Sequence, residues 1–143
     1  MRILHLTDFH YKNDITSVPL QEKLVRSLCN SLKKIGEIDL FFFTGDLVFQ
    51  GNEERDFDNA YEQLIKKVLD EKKLNEDQLI LCAGNHDVHR YQEMKAIGTH
   101  FETKIKSNEE LNDFIKVETD PQYRESCKNI NNYLNFLHRK FSS

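Results

Sequence analysis

The stretch "IDLFFFTGD" (38–46) decides how the chain is read. An aromatic-rich apolar run is bounded by turn residues, and its length and composition favour a strand over a helix. Its three phenylalanines are candidates for the core. Two other runs have the same character, "RILHLT" (2–7) and "QLILCA" (78–83). Helical periodicity fills the gaps between them. Leu20, Leu24, Leu28 and Leu32 recur four apart, with Val25 and Cys29 beside them. Ser17 and Pro19 suit a cap and first turn, and Gly36 suits a stop. Phe57, Tyr61, Leu64, Ile65 and Val68 mark the buried face of a second helix, Glu54 to Asp70. Strand, helix, strand, helix, strand predicts an α/β fold, a mostly parallel sheet with packed helices. The strands lack polar alternation, as expected when both faces of a sheet are covered.

Beyond Arg90 the character changes. Residues 91–143 are polar and carry no strand signal. Leu111, Phe114 and Ile115, then Ile130, Tyr133, Leu134 and Leu137, suggest amphipathic helices broken at Asp120-Pro121. The expected organisation is therefore an α/β unit over 1–90 and a helical segment over 91–143, an insertion or a cover. The 143 residues suffice for one modest domain. The net charge of -4 gives no electrostatic footprint for nucleic acid. Bound divalent cations would add local positive charge, so a nucleic-acid substrate stays open. Cys29, Cys82 and Cys127 are odd in number and none are at metal-ligand spacing. They read as free thiols of a cytoplasmic protein. No apolar run is long enough to span a membrane.

Each strand candidate ends in polar residues. The first ends in Asp8-Phe9-His10, the second in Gly45-Asp46, the third in Gly84-Asn85-His86-Asp87. In an open parallel sheet the carboxyl ends of the strands share one edge, where ligands bind. Residues far apart in sequence thus converge. Carboxylate, imidazole and amide groups together suit divalent Mn, Fe, Zn or Co. Asp8 and His10 alternate with Phe9, so both can face one ion. Asp46 leaves its strand through a glycine, and its carboxylate can reach between two ions, which in hydrolytic sites sit about 3.5–4 Å apart. Asn85 offers a neutral oxygen to the second ion. His86 need not be a ligand: it can hydrogen-bond a phosphate or protonate a leaving oxygen. Each motif alone reads more simply as a turn or polar loop. All three in this order, each at a strand end, point to one site.

With these motifs, "DFH", "GD" and "GNHD", the first ninety residues resemble the calcineurin-like metallophosphoesterase family. The resemblance implies half of that family's α/β sandwich and hydrolysis of phosphomonoesters or phosphodiesters by a metal-activated water. It implies two divalent metal ions as cofactors. Asp8 and His10 would bind the first, Asp46 would bridge, and Asn85 would bind the second. His86 would contact the phosphate and aid the leaving group. Asp87 is expected to orient His86 or shape the turn, and Arg90 to join Asn85 and His86 in holding substrate, since guanidinium matches phosphate geometry. "GDLVFQG" lacks the Asp-Arg pair of the protein phosphatases and looks more like the cyclic-nucleotide phosphodiesterase branch and its bacterial relatives, while "MRILHLTDFH" also looks like the nuclease branch associated with double-strand-break repair, and both branches stay open. A phosphate ester, a nucleotide among the candidates, is the expected partner.

The family's later Gly-His and Gly-His-x-His motifs do not occur. His100 and His138 read as surface or packing residues, as does His89, and His5 as a hydrogen-bonded core histidine. With three protein ligands on one metal and two on the other, the site falls short of the usual complement. The expectation is a piece of a longer protein whose C-terminal remainder completes the site, weakly active by itself. The alternative function is a non-catalytic module that binds a ligand or partner on a phosphoesterase fold.

Overall fold

In the computed structural model, which describes residues 1–89 and 130–141, the three apolar runs form β1 (Ile3–Leu6), β2 (Leu40–Thr44) and β3 (Leu79–Cys82). All pair in parallel, in the order β1-β2-β3, so the phenylalanine run is the central strand. Helix α1 (Ser17–Leu32) connects β1 to β2. The second connection is a longer helical stretch: α2 (Glu54–Ala60), a π-helical turn (Tyr61–Ile65) and α3 (Lys66–Lys72). This is the βαβ order read from the sequence. Among the described residues, no helix is long and apolar enough to cross a membrane.

The register assigns each strand residue to a face. Leu4 and Leu6 align with Phe41 and Phe43, which align with Leu79 and Leu81. Phe41 and Phe43 are fully buried, in one core with Val25, Leu32, Phe57, Ile65 and Val68. The opposite face is different. Ile3 and Ile80 are each 43% exposed, His5, Thr44 and Cys82 are exposed, and Phe42 is half-buried. Among the described residues only one face is covered. The strands do not alternate because their open face is itself partly apolar. His5 lies on that face, with its Nε2 at 2.6 Å from Thr44 Oγ1, and is not a core residue.

Helix α1 departs from its expected details in three ways. Its cap is Asp14, whose Oδ1 accepts from the backbone of Thr16 and Ser17 at 3.0 and 2.8 Å and from the Thr16 hydroxyl at 2.6 Å. The bonds from Ser17 and Thr16 hold the Asp14 carboxyl far below the usual carboxylate range. The helix ends at Leu32, before Gly36. Lys72 of α3 caps that end, donating from Nζ to the carbonyls of Leu32 and Ile35 at 3.1 and 2.8 Å. Finally, Leu20 and Leu24 are 64% and 61% exposed, while Val25 and Leu32 are buried. A row of leucines four apart drifts around a helix of 3.6 residues per turn, whereas a spacing of seven stays nearly in line.

Helix α4 (Asn131–Phe141) packs on α2; of the expected apolar positions Tyr133 is buried and Leu137 partly buried, while Leu134 is 48% exposed. Phe136 stacks on Phe57 with centroids 5.7 Å apart, and Tyr133 meets Phe57 edge-on at 5.8 Å. A charged rim surrounds these rings. Arg139 pairs with Glu54 and Asp58, and Lys140 with Glu62. The expectations for Leu111, Phe114, Ile115, Asp120-Pro121 and His100 lie outside the described residues.

Burial, not the exposed ion pairs, should govern this docking. Phe136→Ala is expected to cost about 3–5 kcal/mol, against less than about 1 kcal/mol for Arg139→Ala. Urea unfolding of the two variants gives the comparison.

Candidate metal centre at the strand ends

Beyond β1 and β2 the chain keeps pairing. The amides of Asp8, His10 and Tyr11 donate to the carbonyls of Gly45, Asp46 and Leu47 at 3.1, 2.9 and 3.0 Å. The amide of Phe49 returns a bond to the Tyr11 carbonyl at 3.0 Å. This lacing carries unusual backbone. Asp8, His10 and Asp46 have φ of 58°, 50° and 56°, the left-handed region that side chains rarely enter. Each such residue costs roughly 1–2 kcal/mol. Three of the four expected metal ligands are therefore held in strained conformations, a pattern that clusters at functional sites.

The strain brings ligand atoms together. His10 Nε2 lies 3.5 Å from Asp8 Oδ1 and 3.9 Å from Asp46 Oδ2. These are long for hydrogen bonds. Ligands that each sit about 2.0–2.2 Å from one cation are about 3–3.5 Å from each other, close to this spacing. His10, Asp46 and His86 each offer a ligand atom, all within 4.8 Å of one another. The rings of His10 and His86 meet nearly edge-on, with centroids 4.6 Å apart. Oxygen and imidazole donors at this spacing fit a divalent cation.

The loop after β3 is locked onto the end of β2. Asp46 is almost buried, and its Oδ1 accepts from the His86 amide at 2.8 Å. That contact needs Gly84: a Cβ there would lie 2.1 Å from Asp46 Oδ1. Gly45, with φ of 111°, passes close to it, and a Cβ on Gly45 would lie 2.8 Å from Gly84 Cα. Asp87, fully buried, fastens both loops. Its Oδ1 accepts from the Val48 amide at 3.0 Å, and its Oδ2 from the Gly84 amide at 2.8 Å. Burial pushes the Asp87 carboxyl up, against the opposing pull of these backbone amides.

His86 Nδ1 lies 2.8 Å from the Phe49 carbonyl. A carbonyl only accepts, so Nδ1 donates, and in the neutral ring Nε2 keeps its lone pair. Thus a main-chain oxygen orients His86, while the Asp87 carboxylate serves the turn. No side-chain motif announces the role of Phe49. Its ring touches those of His10 and His86, and Lys12 Nζ sits 3.7 Å above it. Asn132 of α4 steadies the same loop, donating to the carbonyls of Gly51 and Asn52 at 2.9 Å each. Asn85 is exposed on the loop, one residue before His86. Asp8 is the most open of the acidic groups, with a 56% exposed side chain. Arg90 lies outside the described residues.

The family model described as calcineurin-like phosphoesterase matches residues 1–141. The match runs past residue 90, where the likeness of the motifs stops. None of the curated proteins compared with the chain matches it.

Two substitutions test how the loops are held. Gly84→Ala pushes against Asp46 and is expected to cost about 1–3 kcal/mol and to weaken divalent-metal uptake. Asp87→Asn turns one acceptor into a donor facing an amide, and is expected to cost about 1–3 kcal/mol. Thermal unfolding and metal titration followed by calorimetry measure both.

Proposed function

The chain belongs to the calcineurin-like phosphoesterase family, and on that premise we propose that it acts in metal-dependent hydrolysis of phosphomonoesters or phosphodiesters at this strand-end site. The observation that carries the reading is the convergence of His10, Asp46 and His86, three residues from three different strand ends. Asp8, His10, Asp46 and Asn85 would hold two divalent ions, with Mn, Fe, Zn and Co the candidates. Such ions, when bound, polarise phosphoryl oxygens and lower the pKa of water.

The chain's own groups have separate tasks. The two oxygens of Asp46 face different neighbours, Oδ2 towards His10 and Oδ1 towards the His86 amide. This supports a bridging role, since one oxygen can serve each side. His86 presents Nε2, held in place through Nδ1. Protonated at Nε2, it would donate to the phosphate or to the leaving oxygen. Asn85, exposed beside it, would supply its neutral Oδ1 to the metal and donate from Nδ2 to the substrate phosphate, with Arg90 as a further phosphate contact. Asp87 is a positioning residue: its oxygens fix the turn that aims His86.

The test compares a generic phosphomonoester with a diester after loading with Mn²⁺. Asp46→Asn is expected to lower both metal content and turnover. His86→Ala should leave metal content intact and lower kcat by about 10²–10⁴-fold. Loss of metal with His86→Ala would make His86 a ligand. Tight metal binding without turnover of either ester would favour the non-catalytic binding module.

A further inference from the structure

Only one ring nitrogen of His10 faces the candidate metal group. Nε2 is the atom near Asp8 and Asp46. Nδ1 is buried and has no hydrogen-bond partner. Beside it, Gln21 of α1 donates from Nε2 to the His10 backbone carbonyl at 3.3 Å, and the Gln21 Oε1 is also buried without a partner. Leaving a buried polar atom unsatisfied costs roughly 1–3 kcal/mol, and native proteins satisfy nearly all of them. The two atoms are complementary. A carboxamide oxygen only accepts, and Nδ1 donates in one of the two neutral tautomers of histidine. They belong to two residues already joined by a hydrogen bond, so one contact or one shared water serves both.

We propose that Gln21 is the positioning residue for His10. His10 donates its Nδ1 proton to Gln21 Oε1, directly or through one water, and Nε2 keeps its lone pair for the metal. The inference rests on the reading of His10 as a metal ligand. It gives His10 what the Phe49 carbonyl gives His86, a partner on Nδ1 that selects the tautomer. Partners of this kind orient a ligating imidazole and raise its basicity. Gln21, near the start of α1, sets its amide against the strained backbone at His10, where φ is 50°.

The experiment uses the full chain with ¹⁵N-labelled histidine and long-range ¹H–¹⁵N NMR, without metal and on titration with Zn²⁺. Wild type is expected to show His10 as the Nδ1–H tautomer. In Gln21→Leu the two tautomers mix, and zinc affinity falls about 10–100-fold. Gln21→Glu, which retains an acceptor, restores both. The proposal is overturned if wild-type His10 is mainly the Nε2–H tautomer, or if Gln21→Leu changes neither tautomer nor affinity. Should Gln21→Leu fail to fold, the wild-type tautomer and Gln21→Glu decide the matter. If wild type takes up no zinc, the metal reading of His10 fails, while the tautomer comparison still tests Gln21.

Discussion

The Asp87 carboxylate is the contact on which the site depends. It is fully buried, and it joins the amide that follows β2 to the amide that follows β3. Burying a charge is costly unless hydrogen bonds compensate it. Here burial outweighs the backbone donors, so the carboxyl titrates above its ordinary value. The energetic cost is placed where it has a structural return. The loops that follow β2 and β3 are bound to one another from within, alongside the contact of the Phe49 and His86 rings, and Asp46 and His86 are set in fixed relation. The glycines make that close approach feasible, because a Cβ at Gly84 or Gly45 would collide with the facing loop.

A second cost lies in the backbone. Asp8, His10 and Asp46 adopt left-handed conformations in succession around one edge of the sheet. Parallel pairing that continues past the ends of β1 and β2 holds them there. Ligands fixed in this manner need little reorganisation to receive a cation, which is the physical sense of a preorganised site. The rest of the domain supplies the rigidity: a buried aromatic core under β2, and α4 stacked on α2 through Phe57, Tyr133 and Phe136. Through Asn132, α4 also reaches the loop that carries Phe49. A helix remote from the strand ends in sequence is thus coupled to the carbonyl that orients His86.

The open face of the sheet follows a different logic. Ile3, Phe42 and Ile80 lie on it at matched or neighbouring register, two of them widely exposed. In sequence these residues look no different from Phe41 and Phe43, which are fully buried. Hydrophobicity along a strand shows which residues tolerate burial, not which are buried. For the same reason the leucine row of α1 misled, since Leu20 and Leu24 follow a spacing of four while the core follows the helical period.

By itself, the sequence determined the order of elements, the parallel sheet and the edge at which Asp8, His10, Asp46 and the Gly84–Asp87 loop meet. These follow from periodicity, turn residues and the rule that parallel strands end on one side. Only the tertiary structure decided how those residues share the work. It drew His86 into the group with His10 and Asp46, gave Asp87 to the backbone amides, capped α1 with Asp14 and Lys72, and set Gln21 beside His10. The physical reason is the same in each case. Periodicity is local and can be read along the chain, whereas a hydrogen bond between distant groups depends on distances that exist only after folding.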